Sequence, residues 1–329
     1  MKFFKKIISV LLLLCMALPF ASCGASLPGE DDRTVAMIND KYNVSYDLYK
    51  YFYLNYAASY GEEDFEGENA AKTEAELRES CFAALRNVYA VVVLSSEYGI
   101  NLTDTLVEDT ARISVEETIK EFGGKAAYAK ALAENYMTDS VFRFMMKVDA
   151  CEDQLYSTIT DGLGEIDNSD ETVMAAIKGD EFIRIVHVLI SNSNGFSDEK
   201  NKETAEKVLK LARSGEDFDS LIANYSNDYS MTRDGYYFTY GYMLPEIEEA
   251  SFKLKEGEIS GIIESENGYH IIKRLPKDDE YMVKNYTTLK AQYESCKFYS
   301  LIDKQAESVS VKGNDLLETI NHDLLVSDK

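Results

Sequence analysis

Phe182-Ile183-Arg184-Ile185-Val186-His187-Val188-Leu189-Ile190 is rich in β-branched residues and reads as a buried strand. Period-two alternation puts Ile183, Ile185, His187 and Leu189 on one face. A helix is expected next, over about 198–213. Ala205, Val208, Leu209 and Ala212 form its apolar stripe, and Ser214-Gly215 ends it. A shorter helix carries Phe218, Leu221 and Ile222. A third opens at Pro245, with Glu246, Glu248 and Glu249 near its positive end, Lys253 and Lys255 near its negative end, and Gly257 as its stop. Two strands, about 258–264 and 269–275, flank Asn267-Gly268, a hairpin signal because both residues tolerate positive φ. Strand, helices, strand, helix and hairpin together make an α+β module.

Upstream the pattern is different. Helical periodicity dominates from Tyr46, with Ser45 as a cap, and Ala75, Leu77, Cys81, Leu85, Val88 and Val92 mark one long helix that Gly99 closes. Further helices are expected near 104–121, 125–136 and 138–160. Tyr46, Tyr49, Tyr53, Tyr56 and Tyr60 recur at helical spacing on one face, and Tyr51 stands apart. That face either packs against the C-terminal helix, expected from Asp278 to about Ser308, or lines a cradle for other polypeptides.

The first residues carry an address. Lys2, Lys5 and Lys6 precede an apolar run from Ile7 to about Phe20, too short for a comfortable membrane span. The run ends in Phe20-Ala21-Ser22-Cys23-Gly24, two small residues before a cysteine. Residues 24 to about 34 are small, polar and acidic, as in a flexible tether.

A net charge of −24 argues against nucleic acid as a partner, since phosphate binding needs a basic face. Apart from Cys15 and Cys23, the cysteines are Cys81, Cys151 and Cys296, an odd number too widely spaced for a disulfide framework or a metal site. No metal or cofactor is implied.

The chain has three histidines, and His187 and His270 lie on strands at opposite ends of the α+β module. Outer strands of a small sheet are often neighbours, so the two imidazoles can meet across it. Spacing alone favours the other reading, two separate buried histidines, each satisfied locally.

Beyond residue patterns, 182–276 resembles a parvulin domain. The resemblance rests on Ile185-Val186-His187-Val188-Leu189-Ile190, Ser214-Gly215-Glu216-Asp217-Phe218, Tyr225-Ser226-Asn227-Asp228 and Met243-Leu244-Pro245-Glu246-Ile247-Glu248-Glu249-Ala250-Ser251-Phe252. Lys255-Glu256-Gly257-Glu258-Ile259-Ser260 and Asn267-Gly268-Tyr269-His270-Ile271-Ile272-Lys273 complete it. It covers under a third of the chain. The N-terminal cysteine motif resembles a bacterial lipobox, with Phe20 where Leu is usual, and residues 35–60 resemble the start of the helical segment of PrsA- and SurA-type foldases.

The resemblance implies an α+β protein in five parts: a lipoprotein signal peptide (1–22), a tether (23–34), a helical chaperone-like domain (35–179), a parvulin-type domain (180–277) and a C-terminal helix (278–329) returning to the helical domain. It implies a peptidyl-prolyl cis-trans isomerase and foldase, lipid-anchored through Cys23 on the extracytoplasmic face of the cell membrane. Its partners would be unfolded or partly folded secreted proteins with X-Pro bonds, and a homodimer is allowed. His187, His270 and Asp228 would form a polar network beneath the substrate carbonyl. Asp228 falls where the family has cysteine or aspartate, although it also suits a turn that caps local backbone. Met243 and Ile247 would line the proline cup, and Phe238 or Tyr240 would add a wall. The segment Arg233-Asp234-Gly235-Tyr236-Tyr237-Phe238-Thr239-Tyr240-Gly241 departs from relatives, being about two residues shorter and crowded with tyrosine. That departure motivates an alternative, a holdase whose parvulin unit only binds clients.

Overall fold

The computed structural model describes residues 31–162 and 164–327. The expected signal peptide, most of the tether and Cys23 lie outside the described residues. No helix among the described residues is long and apolar enough to cross a membrane. The chain divides into two compact units, one running through Ile159 and resuming at Leu301, the other Thr160–Ser300.

In the first unit a hairpin of β1 (Thr34–Ile38) and β2 (Tyr42–Ser45) turns at Asn39 and Asp40, both in the left-handed region. The helices are α1 (Tyr46–Ala57), α2 (Ala70–Glu97), α3 (Thr105–Glu121), α4 (Lys125–Glu134) and α5 (Asp139–Ser157). Ser45 Oγ accepts from Leu48 N–H and caps α1. Along α2, Leu77, Cys81, Leu85, Val88 and Val92 are buried, but Ala75 is exposed and Thr73 takes its place in the stripe. The tyrosines of α1 are core. Tyr46, Tyr49, Tyr51 and Tyr53 are all nearly sealed from solvent, so the cradle reading does not hold for them.

The second unit opens with α6 (Asp170–Lys178), a helix the sequence reading passes over, and continues into β3 (Ile183–Ser191). Then come α7 (Asp198–Arg213), α8 (Phe218–Tyr225), β4 (Tyr236–Phe238), α9 (Pro245–Lys253), β5 (Ile259–Ser265), β6 (Gly268–Leu275) and α10 (Asp279–Lys284). The long helix α11 (Tyr286–Ser308) crosses into the first unit at Leu301. The chain ends with β7 (Val311–Gly313) and α12 (His322–Ser327). β7 pairs antiparallel with β1, giving the first unit a three-stranded sheet in the order β2-β1-β7. The sequence reading expected helices alone there.

The second sheet is antiparallel throughout, in the order β4-β3-β6-β5. Alternation along β3 and β6 divides its faces. Val186, Val188, Ile190, Tyr269 and Ile271 bury with Ala205, Val208 and Ala212 of α7 and Phe218 and Leu221 of α8. Ile183, Ile185 and Ile272 bury with Phe238 and with Ile247 of α9. Helix α7 is capped by Ser197 Oγ and carries Asp198 and Glu199 in its first turn, Lys210 and Arg213 in its last, a charge order that follows the macrodipole.

Two boundaries differ from expectation. Helix α9 ends at Lys253, and Gly257 instead sits in the turn before β5, its N–H bonded to Arg274 O. The hairpin turn is Glu266-Asn267, neither with positive φ, and Gly268 is the first residue of β6 at φ 130°. A Cβ at Gly268 would lie 2.1 Å from Ile190 O, so the glycine is needed where β6 meets β3.

Candidate active site

His187 lies opposite Ile272 in the β3–β6 register, and His270 lies opposite Leu189. The two histidines are therefore diagonal neighbours on one face, a distance long side chains span. Their rings meet, with His187 Nδ1 and His270 Nδ1 3.1 Å apart and both residues buried. Spacing alone favours two separate histidines; the structure has the pair instead.

Asp228 reaches this pair because the stretch after α8 runs along the edge of β3. Asn227 N–H donates to Leu189 O, Leu189 N–H to Ser226 Oγ, and Ser191 N–H to Asn227 Oδ1. The next residue then sets its carboxylate on His187, with Oδ2 2.8 Å from Nε2. Its other oxygen accepts from Ser230 N–H and Ser230 Oγ–H, at 3.0 and 2.6 Å. Asp228 is thus both a local turn residue and a partner of His187. Those bonds, led by that from His187, hold its carboxyl far below the usual carboxylate range.

Three residues the sequence reading did not single out complete the cluster. Tyr236 OH donates to Asp228 Oδ2 at 2.7 Å and lies 2.8 Å from Ser230 Oγ. Its ring stands edge-on to His187. At the far end Ser265 Oγ lies 2.7 Å from His270 Nε2. Burial, reinforced by neighbouring His187, pulls His270 down to about 4 against the opposing pull of Asp228.

Proton positions follow from the partners. An ionised carboxylate only accepts, so His187 carries its proton on Nε2. In the neutral state its Nδ1 is then an acceptor, His270 donates from Nδ1, and His270 Nε2 accepts from Ser265 Oγ–H. The chain runs one way, Ser265 to His270 to His187 to Asp228.

Of the apolar candidates, Met243 is half-buried and packs against the Ile183, Ile185 and Ile272 cluster. Phe238 is fully buried and Ile247 is 4% exposed, so both underlie the sheet face as core. Tyr240 is 58% exposed and stacks on Phe252 at 3.7 Å. Glu248 fixes the turn that carries Met243: Oε1 accepts from Tyr242 and Met243 N–H, Oε2 from Gly241 N–H. No group of three or more His, Cys, Asp or Glu among the described residues could hold a metal ion. Cys81, Cys151 and Cys296 are free and buried, and burial pushes the Cys151 and Cys296 thiols up to about 11.

Residues 187–275 match the family model of the PPIC-type PPIase domain, or rotamase. Among curated proteins, the foldase protein PrsA of Caldanaerobacter subterraneus subsp. tengcongensis is 36% identical over 141 residues, 42% of this chain and 41% of that one. PrsA of Staphylococcus aureus is 28% identical over 194 residues, 55% of each chain. The chain spans about half the length of the curated relatives it matches. Among solved structures, the peptidylprolyl isomerase PrsA of Bacillus anthracis aligns over 68% of this chain and 96% of its own, with 22% identity and a TM-score of 0.36. The parvulin NmPin of Nitrosopumilus maritimus aligns over 29% and 97%, with 35% identity and a TM-score of 0.25. Residues 187–275 are thus similar to the PPIC-type PPIase family, and the chain that carries them is similar to PrsA foldases.

Proposed function

We propose that this chain is a parvulin-type peptidyl-prolyl cis-trans isomerase and foldase for secreted polypeptides, with the isomerase module at 180–277. The observation that carries the reading is the continuous hydrogen-bond chain from Ser265 through His270 and His187 to Asp228, inside a segment matching a rotamase family. Rotation about an X-Pro bond breaks amide resonance against a barrier of roughly 18–20 kcal/mol. No bond to substrate is needed, only stronger binding of the twisted amide than of the planar one. A neutral imidazole pair, buried and held in one tautomer, offers fixed dipoles to a carbonyl whose electron distribution changes as it turns. Met243, half-buried against the Ile183, Ile185 and Ile272 cluster, is the apolar side chain assigned to the prolyl ring in this reading. Tyr229 is 89%, Tyr240 58% and Tyr242 48% exposed, and as chain neighbours of Asp228 and Met243 they offer aromatic surface to varied polypeptides.

The lipobox-like motif at Cys23 supports lipid anchoring on the extracytoplasmic face of the membrane, where secreted clients emerge. A soluble chain beginning at Gly24 tests the catalytic reading. It should accelerate cis-trans exchange of a proline-containing tetrapeptide, and Asp228→Ala should slow that exchange at least about tenfold. A second reading, a client-binding holdase without catalysis, draws on the full burial of Phe238 and near-full burial of Ile247, which fill the expected cup from below. No acceleration by the wild-type chain leaves the holdase alone.

A further inference from the structure

The shortened segment that departs from the parvulin pattern delivers a group to the site. Gly235 adopts φ 71°, and a Cβ there would lie 2.2 Å from Ile185 O, so only glycine lets the chain enter the sheet at this point. The next residue, Tyr236, pairs with Ile185 and begins β4. Its side chain turns toward Asp228 and the edge of His187.

A carboxylate offers about four acceptor positions. Those of Asp228 are filled by His187 Nε2–H and Tyr236 O–H on Oδ2, and by Ser230 N–H and Ser230 O–H on Oδ1. We propose that Tyr236 is a positioning residue: its phenol saturates Asp228, fixes that carboxylate against His187, and so sets the direction of the hydrogen-bond chain to His270. Burial holds the phenol as a proton donor, pushed up to about 12. The isomerase reading enters only where rates are measured.

The groups facing the imidazole pair come from separate places. They are Asp228 after α8, Ser265 of β5 and the ring edge of Tyr236 of β4 on the imidazoles themselves, with Ser230 acting through Asp228 and Tyr242 through Tyr236. With one donor fewer, more of the Asp228 charge falls on His187, which favours the protonated pair.

Three histidines make ring-nitrogen NMR of the ¹⁵N-histidine-labelled chain from Gly24 readable. At neutral pH the wild type should show His187 protonated at Nε2 and His270 at Nδ1. In Tyr236→Phe the protonation midpoint of the pair should rise by about half a pH unit or more. Turnover of a proline tetrapeptide should fall roughly three- to tenfold, in kcat more than in KM. Tyr237→Phe is the control, since that ring stacks on Tyr281 and its hydroxyl accepts from Asp278 N–H, away from the histidines. It should leave that midpoint unmoved. Ser230→Ala strips a donor from the other oxygen and should shift the midpoint in the same direction, which serves if Tyr236→Phe does not fold. Unmoved tautomers and midpoint in a folded Tyr236→Phe, or in Ser230→Ala should that variant not fold, overturn the proposal. A wild type that shows these tautomers but no isomerisation overturns the isomerase reading alone.

Discussion

His270 is pulled in two directions. Burial and the neighbouring His187 disfavour its charge while Asp228 favours it, and burial dominates, leaving the folded imidazole at about 4 against 6.5 in an unfolded chain. Between those values the unfolded chain binds the extra proton and the folded one does not. Stability from this residue is therefore complete above about pH 6.5 and drains away as pH falls toward 4. Asp228 acts in the same sense further down. Its folded carboxyl sits below the unfolded value of 3.8, so what it contributes is present above that pH and lost beneath it. Thermal melts of the wild type should fall steadily from pH 7 to 4, and His270→Gln should flatten the part of that slope above pH 4. Parallel slopes would refute the burial account of His270. The histidines were visible in the sequence because the chain has so few and both sit in apolar strands. Ser265, Ser230 and Tyr236 were not: hydroxyl residues abound near turns, and spacing does not say which of them faces an imidazole.

At the scale of elements the decisive piece is β4, three residues that pair Ile183, Arg184 and Ile185 with Phe238, Tyr237 and Tyr236. Its sequence gave little warning, because a strand this short has no measurable alternation and its run of aromatics reads equally as loop. The same limit hid β7, which gains its order only by pairing with β1 from the other end of the chain. The long strands β3 and β6 were legible because each is apolar on two faces, α7 because its cap and charges agree with its periodicity, and α9 because its opening proline and charge order do. Since Gly235 alone lets β4 lie against β3, Gly235→Ala should cost at least about 1–3 kcal/mol in strain. It should also displace Tyr236 from Asp228. Equilibrium denaturation measures the first effect, and the His187 ring-nitrogen shifts the second. A variant as stable as wild type, with those shifts unchanged, would mean that β4 tolerates another entry.

At the scale of the whole molecule, the compact unit 160–300 is wider than the segment that resembles a parvulin. The additional residues on its two sides are tied to one another by specific bonds. Asp170 of α6 accepts from Tyr286 OH and Lys290 Nζ, Lys297 pairs with Glu181, and Asn168 donates to Glu294. The most exacting tie is Lys277, whose half-buried ammonium shares its three N–H donors among the carbonyls of Ile177, Lys178, Gly179 and Phe182. A helix leaves its last carbonyls without intrahelical partners, so this lysine caps α6 while α6 solvates the lysine. Burial pulls the ammonium below the usual lysine value, yet the four carbonyls replace much of the lost water. A fragment starting at 180 removes three of those acceptors and leaves the charge poorly solvated, at a cost of about 1–3 kcal/mol. A fragment of residues 160–300 should therefore melt several degrees above one of residues 180–277. Lys277→Met should close much of that gap, by lowering the longer fragment and relieving the shorter one. Equal melting of the two wild-type fragments would show that the module ends at its sheet and that α6 adds nothing to its stability.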